Sequence, residues 1–451
     1  MNKTRSVSYT FSVCLLCVLA ITGIGCRSNG PGEFKTHVAI KGTQWYFNGQ
    51  VVNPGSPAEG LLMNVRMVNA VFEDRGDQIT KHQAGFDPEA NAEAFMAKIP
   101  EYVASGVNAF TLCLQGGMPG YEGAVNTAYE ADGSLREPYM QRVERVIRAC
   151  DAANAAVILS CFYQRQHSHD SALTGRDAIT SALKNTVNWL AAKKFTNVVL
   201  EVSNEYRHGG YRNWPDGEWL MSEQGQAELI RLAKQLNPEL LVSTSGMGGG
   251  TFPEPLPLES DFLLIHFNNT SLDDIPAKVN ELKSYGKPIV CNEDDKLAEE
   301  GAIALALSVA NGAGWGFMNS PVNQRIPFEF YGTADDPAVY EMFRNVATPG
   351  YRMDTESMKV TTITIIYPND GNIFSLGQEV EIRLSHVYPD KSVKSTIHIL
   401  ANDEEVSAGN RLIVNWKPSE AGTYYLQAVV KDESGKELYR SARADIIVKP
   451  E

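Results

Sequence analysis

Apolar and polar positions divide the chain into two parts with different periods. Over residues 38–350, short continuous apolar runs alternate with segments in which apolar residues recur at helical spacing. Over residues 358–451 the helical spacing is absent, and short alternating runs are separated by turn residues. The pattern predicts an α/β domain over the first range and a small all-β sandwich over the second.

The first part contains strand-like runs followed in most cases by a helical segment. These runs start near residues 61, 107, 155, 197, 240, 261, 287 and 313. Eight strands alternating with helices favour a (β/α)8 TIM barrel. A doubly wound open sheet is the alternative architecture, although the glycine-rich turn that usually follows its first strand is absent.

Local turn and cap signals support this division. Asn48-Gly49 separates two apolar arms and predicts a hairpin turn before the barrel. Asp87 followed by Pro88 predicts the start of a helix, because aspartate caps the first free N–H groups and proline fits the first turn.

The N-terminus has the composition of an export signal. Lys3 and Arg5 precede an uncharged, increasingly apolar stretch that ends at Gly25-Cys26. Small residues before a cysteine resemble a bacterial lipobox, so residues 1–26 are predicted to be a signal with Cys26 as a lipid attachment site. An ordinary cleaved signal peptide or an uncleaved anchor is the alternative. Residues 27–37 are then a polar tether, and the expected location is the cell envelope or the outside of the cell.

Composition narrows the possible partners. The chain of 451 residues is 43% hydrophobic and 21% charged, which excludes wholesale disorder. Its formal net charge of −14 argues against nucleic acid and against direct binding to anionic membranes. Four cysteines outside the signal have no metal-like spacing, so free thiols or one buried disulfide are expected. No cofactor and no metal are predicted.

Two of the buried runs end in carboxylates. Residues 197–206 read NVVLEVSNEY and residues 287–295 read KPIVCNEDD, so apolar positions lead directly to Glu205 and Glu293. A parallel strand buried on both faces should stay apolar, so a carboxylate at its carboxyl end is placed for function. Two such glutamates would give the carboxylate pair that glycoside hydrolysis requires.

These motifs resemble the glycoside hydrolases of clan A, broadly those of family 5. The resemblance covers about residues 40–350 and rests on WYFNGQ (45–50), LEVSNEY (200–206), IHFN (265–268), KPIVCNE (287–293) and AGWGFMN (313–319). It implies a retaining mechanism without metal, with Glu205 as general acid/base and Glu293 as nucleophile. Asp294 and Asp295 are alternative nucleophiles.

Further residues at the predicted strand ends are candidate contacts to the sugar. They are Asn204, His266, Arg66, Gln115, Trp315 and Asn319.

The chain departs from the family pattern at three points. Tyr206 follows Asn-Glu where proline is usual, the second strand lacks an arginine, and Met318 stands where the eighth strand often carries tryptophan. Arg66 on the first strand is the nearest substitute for the missing arginine.

The C-terminal part resembles the bacterial immunoglobulin-like domains found on secreted carbohydrate enzymes, through residues 365–382 and 415–438. It is expected to be a spacer or a packing partner.

The whole chain is therefore predicted to be an exported retaining glycoside hydrolase acting on a β-linked polysaccharide or oligosaccharide. The alternatives are a non-catalytic carbohydrate-binding barrel and a metal-dependent hydrolase built on His167 and His169.

Overall fold

A computed structural model describes residues 34–76, 85–116, 124–167, 169–170, 172–326, 328–390 and 392–450. The predicted signal, residues 1–26, and most of the tether lie outside the described residues, so export and lipid attachment at Cys26 stay predictions. Within the described part, no helix is both long enough and apolar enough to cross a bilayer.

An antiparallel hairpin precedes the barrel and closes the end at which its strands begin. It consists of β1 (Val38–Lys41), β2 (Gln44–Phe47) and β3 (Gln50–Val51). The turn predicted at Asn48-Gly49 is confirmed, because both residues have positive φ angles, of 52° and 80°. Trp45 is fully buried, and its ring lies 5.1 Å from the ring of Phe262. Both belong to the apolar cluster inside the barrel.

The barrel strands are all parallel and closed into a ring. They are β4 (Asn64–Arg66), β5 (Ala109–Cys113), β6 (Ala156–Phe162), β7 (Val198–Ser203), β8 (Val242–Ser243), β9 (Leu263–His266), β10 (Ile289–Glu293), β11 (Ala313–Gly314) and β12 (Gly316–Phe317). The last two are halves of the predicted eighth strand. A bridge from Ser245 to Leu264 joins β8 to β9, and β12 pairs with β4. The predicted TIM barrel is thus confirmed, and the open sheet is excluded.

Helices follow the barrel strands and cover the outside of the ring. They are α1 (Pro88–Ala104), α2 (Glu137–Ala152), α3 (Arg176–Lys193), α4 (Gly217–Leu220), α5 (Glu223–Leu236), α6 (Leu256–Glu259), α7 (Ile275–Leu282), α8 (Ala298–Ala310), α9 (Ser320–Asn323) and α10 (Pro337–Ala347). The predicted start of α1 is confirmed, since the Asp87 carboxylate accepts a 2.8 Å hydrogen bond from the Glu89 N–H.

The first barrel strand is shorter than its apolar run predicts. The run over residues 61–72 predicts one long strand, but β4 ends at Arg66 and a 3-10 turn covers Val68–Val71. The carbonyls of Asn69 and Ala70 in that turn accept hydrogen bonds from the Asn91 amide of α1. Hydrophobicity alone does not separate a buried turn from a buried strand, so the sequence could not show this end.

Two facing sheets form the C-terminal part, and its all-β prediction is confirmed. The strands are β13 (Thr362–Tyr367), β14 (Ile373–Ser375), β15 (Val380–Val387), β16 (Ser395–Ala401), β17 (Glu404–Gly409), β18 (Ile413–Trp416), β19 (Gly422–Asp432), β20 (Glu437–Arg440) and β21 (Ala444–Lys449). One sheet has the order β13-β15-β18 and the other the order β14-β21-β19-β16-β17, with β20 on β19. The sandwich contacts the barrel at α8, where Thr364 and Ser385 donate hydrogen bonds to Glu299 and Glu300.

The cysteines of the described part are buried free thiols. This holds for Cys113, Cys150, Cys161 and Cys291. Of the two alternatives left open by the sequence, the structure therefore has free thiols rather than a disulfide.

The buried Trp45 side chain gives a direct test of the hairpin as the closure of the barrel. We expect Trp45→Ala to lower the free energy of unfolding by about 3–5 kcal/mol, because it leaves a cavity among apolar side chains. Urea denaturation followed by circular dichroism measures the change. Tyr46→Ala is the matched control, since Tyr46 is only half-buried in the same strand. Equal losses in the two variants would contradict the role assigned to Trp45.

Candidate active site

The carboxyl ends of three strands bring two glutamates and a histidine together. Glu205 follows β7, His266 ends β9 and Glu293 ends β10. One side-chain oxygen or nitrogen from each of the three lies within 4.8 Å of the others. His266 Nδ1 is 3.4 Å from Glu205 Oε1 and 3.6 Å from Glu293 Oε2. The two glutamates predicted from the strand ends thus face each other, with the histidine between them.

Glu205 is held by a strained backbone rather than by the strand itself. Its φ angle is 48°, in the left-handed region, which is costly for a residue with a Cβ. The Glu205 N–H donates to Ser245 Oγ at 3.0 Å, and the following N–H of Tyr206 donates to the Ser245 carbonyl at 3.1 Å. Gln164 Nε2 lies 3.5 Å from Glu205 Oε2. The end of β8 therefore fixes the turn that presents this carboxylate.

Glu293 is a buried carboxylate with charged and neutral donors. Arg66 Nε lies 2.8 Å from Glu293 Oε2, and Asn268 Nδ2 donates to Glu293 Oε1 at 2.8 Å. A bulge in the pairing of β9 and β10 sets Glu293 opposite His266. Burial acts to raise the pKa of Glu293, but Arg66 and His266 outweigh it, so its pKa lies below the usual range. Glu293 is therefore held as an anion.

Arg66, at the end of β4, contacts residues from both of the strands that carry the glutamates. It is buried, and besides its contact with Glu293 its Nη2 donates to Asn204 Oδ1 at 2.9 Å. Burial opposes the charged guanidinium, yet the charge of Glu293 raises the Arg66 pKa above its usual range. The first strand thus supplies the arginine that the second strand lacks.

The same surroundings raise the pKa of His266. It is fully buried, and burial alone would lower its pKa. The charges of Glu293 and Glu205 outweigh that effect and raise the His266 pKa. The carboxylate pair thus has a guanidinium and an imidazole beside it, and both lie within the barrel.

Three site residues were not among the predicted contacts. Asn268 binds Glu293, while Gln164 contacts Glu205 and accepts from Asn204 Nδ2 at 3.4 Å. Tyr163 is buried, and burial and the charge of Glu293 raise the pKa of its hydroxyl. All three lie at the carboxyl ends of predicted strands, which was the available signal.

Gln115 and Asn319 do not reach the carboxylate pair. Gln115 is fully buried, donates to Thr127 Oγ1 at 3.1 Å and accepts from the Tyr163 N–H at 3.2 Å. Asn319 caps α9 and donates to the Asp335 carbonyl at 2.8 Å. Their predicted role as sugar contacts is corrected, because both amides are used to hold neighbouring loops.

Trp315 is also wrongly predicted as a sugar contact. Its side chain is 0% exposed and lies 5.8 Å, centroid to centroid, from both Phe317 and Phe343 of α10. Its indole N–H donates to Asp294 Oδ2 at 2.9 Å. The residue lies in the break between β11 and β12, so its ring faces the helix layer rather than the barrel mouth.

The neighbouring aspartates do not replace Glu293. Asp294 is fully buried on the other face of the strand, where Lys296 Nζ is 2.9 Å from its Oδ1. Asp295 is exposed beyond the end of β10. Of the three adjacent acids, Glu293 is the one that meets Arg66 and His266.

The site also satisfies the bare geometry of a metal centre. Among the residues that the structure describes, Glu205, His266 and Glu293 are the one group of three potential metal ligands. Arg66 already contacts Glu293 Oε2, and its positive charge disfavours a metal cation at the same carboxylate. His169 Nε2 lies 3.1 Å from Gln166 Oε1, and no described third ligand joins it and His167.

A family model described as Cellulase (glycosyl hydrolase family 5) matches residues 78–250. The matched range contains Asn204 and Glu205 and ends before Glu293. The match confirms the resemblance to family 5 glycoside hydrolases and the enzyme class, a glycosidase.

Solved structures similar to this chain are distant in sequence. The endo-β-1,4-mannanase from Thermotoga petrophila is 14% identical, covers 87% of this chain and 98% of its own, and gives a TM-score of 0.43. A Parabacteroides merdae β-glucuronidase is 13% identical over 92% of this chain and 51% of its own, with a TM-score of 0.41. Fibronectin(III)-like modules of Clostridium thermocellum CbhA are 23% identical over 20% of this chain and 96% of their own, with a TM-score of 0.18. No curated protein sequence matches the chain.

The Arg66 contact predicts a pH effect of known sign. The Arg66 charge lowers the pKa of Glu293, so Arg66→Gln leaves burial unopposed on that side and raises it. A group that works as an anion then becomes protonated at higher pH. We expect the acid limb of the kcat/KM profile to move upward by about 1–3 pH units. Arg231→Gln, an exposed arginine on α5, is the control and should leave the limb in place. An unmoved limb in Arg66→Gln would contradict the assigned contact.

The corrected position of Trp315 is tested by Trp315→Phe. The variant loses the N–H that satisfies buried Asp294, so we expect the free energy of unfolding to fall by about 1–3 kcal/mol. Because the ring faces the helices, KM should be unchanged. Thermal unfolding and steady-state kinetics measure the two effects. A large rise in KM at unchanged stability would restore Trp315 as a sugar contact.

Proposed function

We propose that the chain is a retaining glycoside hydrolase that cleaves β-linked polysaccharides or oligosaccharides, with Glu293 as nucleophile and Glu205 as general acid/base. The observation that carries this proposal is the approach of the two carboxylates, which have oxygens within 4.8 Å of each other. Retaining enzymes hold their carboxyl groups about 5–5.5 Å apart, whereas inverting enzymes need about 6.5–9.5 Å to admit a water molecule. The short gap favours direct attack by one glutamate on the sugar.

The surroundings of Glu293 fit the nucleophile. Attack on the anomeric carbon requires an ionised carboxylate, and Arg66 and Asn268 stabilise that form. The carboxylate oxygen forms a bond to the anomeric carbon while the bond to the leaving oxygen breaks. The result is a covalent glycosyl-enzyme intermediate, which water hydrolyses in the second step.

Glu205 fits the complementary role. Its side chain is 14% exposed against 8% for Glu293, so it lies nearer to the solvent side of the pair. In the first step it gives its proton to the leaving oxygen. In the second step it takes a proton from the attacking water, which returns the enzyme to its starting state.

Asn204 is placed to bind a hydroxyl group of the reacting sugar. Arg66 fixes its Oδ1, which orients the amide and leaves Nδ2 with only a 3.4 Å contact to Gln164. A donor beside the carboxylate pair can hold a sugar hydroxyl through a hydrogen bond that strengthens in the transition state.

Export completes the proposal. Residues 1–26 have the charge and hydropathy order of a signal, and Cys26 follows small residues as in a lipobox. A lipid anchor at Cys26 would hold the enzyme at the cell envelope, with residues 27–37 as tether. The immunoglobulin-like sandwich then serves as a spacer or as a packing partner of the barrel.

The proposal is tested by activity on a panel of β-linked polysaccharides and aryl glycosides. We expect wild type to cleave at least one member and to release a product that first shows the retained anomeric configuration in NMR spectra. Glu205→Gln and Glu293→Gln should each lower kcat by about 10³-fold or more on natural substrates. Glu239→Gln, an exposed glutamate after α5, is the matched control and should keep wild-type activity.

Other outcomes would identify the alternatives. Full activity in both glutamate variants would show that the site is wrongly assigned. Loss of activity on treatment with EDTA would favour the metal-dependent hydrolase built on His167 and His169. Glycan binding without cleavage of any panel member would favour the carbohydrate-binding barrel.

A further inference from the structure

A row of polar side chains crosses the barrel interior below the catalytic pair. Cys113 pairs with Ser160, Ser160 pairs with Glu201, and Glu201 pairs with Ser243 in the registers of β5, β6, β7 and β8. All four residues are buried. TIM-barrel interiors are usually filled by bulky aliphatic layers, so a carboxylate in such a row needs a physical reason.

The Glu201 carboxylate has no hydrogen-bond partner in the described part of the chain. The residue is 0% exposed, and both Oε1 and Oε2 are unpartnered, as is the neighbouring Ser160 Oγ. Leaving a buried polar group unpaired costs about 1–3 kcal/mol, and more for a charged group. Groups of this kind are usually satisfied by ordered water or retained for a functional role.

Arg66 has an unpartnered donor that would complement the unpartnered Glu201 carboxylate. Its Nε binds Glu293 and its Nη2 binds Asn204, while its Nη1 is buried without a partner among the described residues. The charge of Glu201 acts on the Arg66 guanidinium, and the Cys113 thiol lies within the field of both. A guanidinium that lacks an acceptor and a carboxylate that lacks donors therefore occupy the same interior.

We infer that Glu201 is a positioning residue, a third carboxylate of the site that holds Arg66 from inside the barrel and shares its positive charge with Glu293. The link is an ordered water with three polar partners, Arg66 Nη1, the Glu201 carboxylate and Ser160 Oγ, which is the number a buried water typically has. This inference rests on the proposed function, because it concerns the nucleophile of that reaction.

The shared charge has a consequence for pH dependence. The titratable groups on which the Glu201 charge acts are Arg66 from β4, Cys113 from β5, Cys161 from β6 and Tyr211 from the turn after β7. Arg66 is the one cation among them. Removing the Glu201 charge takes one negative charge out of the interior that also holds Glu293, so the pKa of Glu293 should fall further.

Glu201→Gln tests this inference, because it keeps the size of the side chain and an acceptor oxygen for the water but removes the charge. Since no donor among the described residues binds either Oε, the amide breaks none of the hydrogen bonds that the structure shows, and the variant should fold. We expect the acid limb of its kcat/KM profile to move to lower pH by about one unit. Glu201→Asp withdraws the carboxylate by one methylene and should move the limb in the same direction by a smaller amount. If Glu201→Gln does not fold, the pH profile of Glu201→Asp provides the test.

Glu239→Gln, at an exposed glutamate after α5, is the control with the same change of charge. It should leave the limb where wild type has it, and circular dichroism with thermal unfolding checks the fold of each variant. A limb that stays in place, or that moves to higher pH, in both Glu201 variants would overturn the inference. Failure of the proposed function would give a different result, namely full activity in Glu205→Gln and Glu293→Gln.

Discussion

The buried ion pair between Arg66 and Glu293 is the interaction on which the site depends. Its atoms are 2.8 Å apart, and the two side chains are 2% and 8% exposed. Removing two charges from water costs several kcal/mol for each ion, and their attraction offsets this only when the remaining polar atoms are also satisfied. Asn204 serves Arg66, and Asn268 and His266 serve Glu293, so the ends of four barrel elements are committed to this one pair. Deleting one partner would leave an uncompensated buried charge.

The two glutamates of the site, Glu205 and Glu293, lie in different surroundings. Glu293 lies inside the ladder of β10, opposite His266 and against a guanidinium. Glu205 lies one turn beyond its strand, in a left-handed conformation held by Ser245. The first arrangement fixes a carboxylate as an anion, and the second presents one near solvent, where it can exchange protons. Such a difference in surroundings is what separates nucleophile from acid in a two-carboxylate mechanism.

The sequence predicted the barrel and the facing glutamates because both leave strong local patterns. Buried strands such as β6 and β7 are continuous apolar runs, and a carboxylate directly after such a run is conspicuous. The direction of a side chain at a strand break is not written in such a pattern, and so Trp315 was assigned to the wrong face. The strands β14, β17 and β20 are largely exposed, so no clean apolar alternation marks them in the sequence. The αL turn at Glu205 and the Arg66 contacts depend on residues far apart in the chain, which no local pattern records.

The barrel interior changes in character from its closed end to its mouth. Val199 and Glu201 are two residues apart on β7 and so face the same side. Val199 belongs to the apolar cluster of Trp45 and Phe262, while Glu201 belongs to the polar row under Arg66. The hairpin covers this end with apolar side chains, and apolar surroundings strengthen each electrostatic contact above them. The charge arrangement around Glu293 therefore depends on apolar packing at the opposite end of the barrel. For this reason, a cavity at Trp45 should weaken the electrostatic contacts around Glu293 as well as lower the stability of the fold.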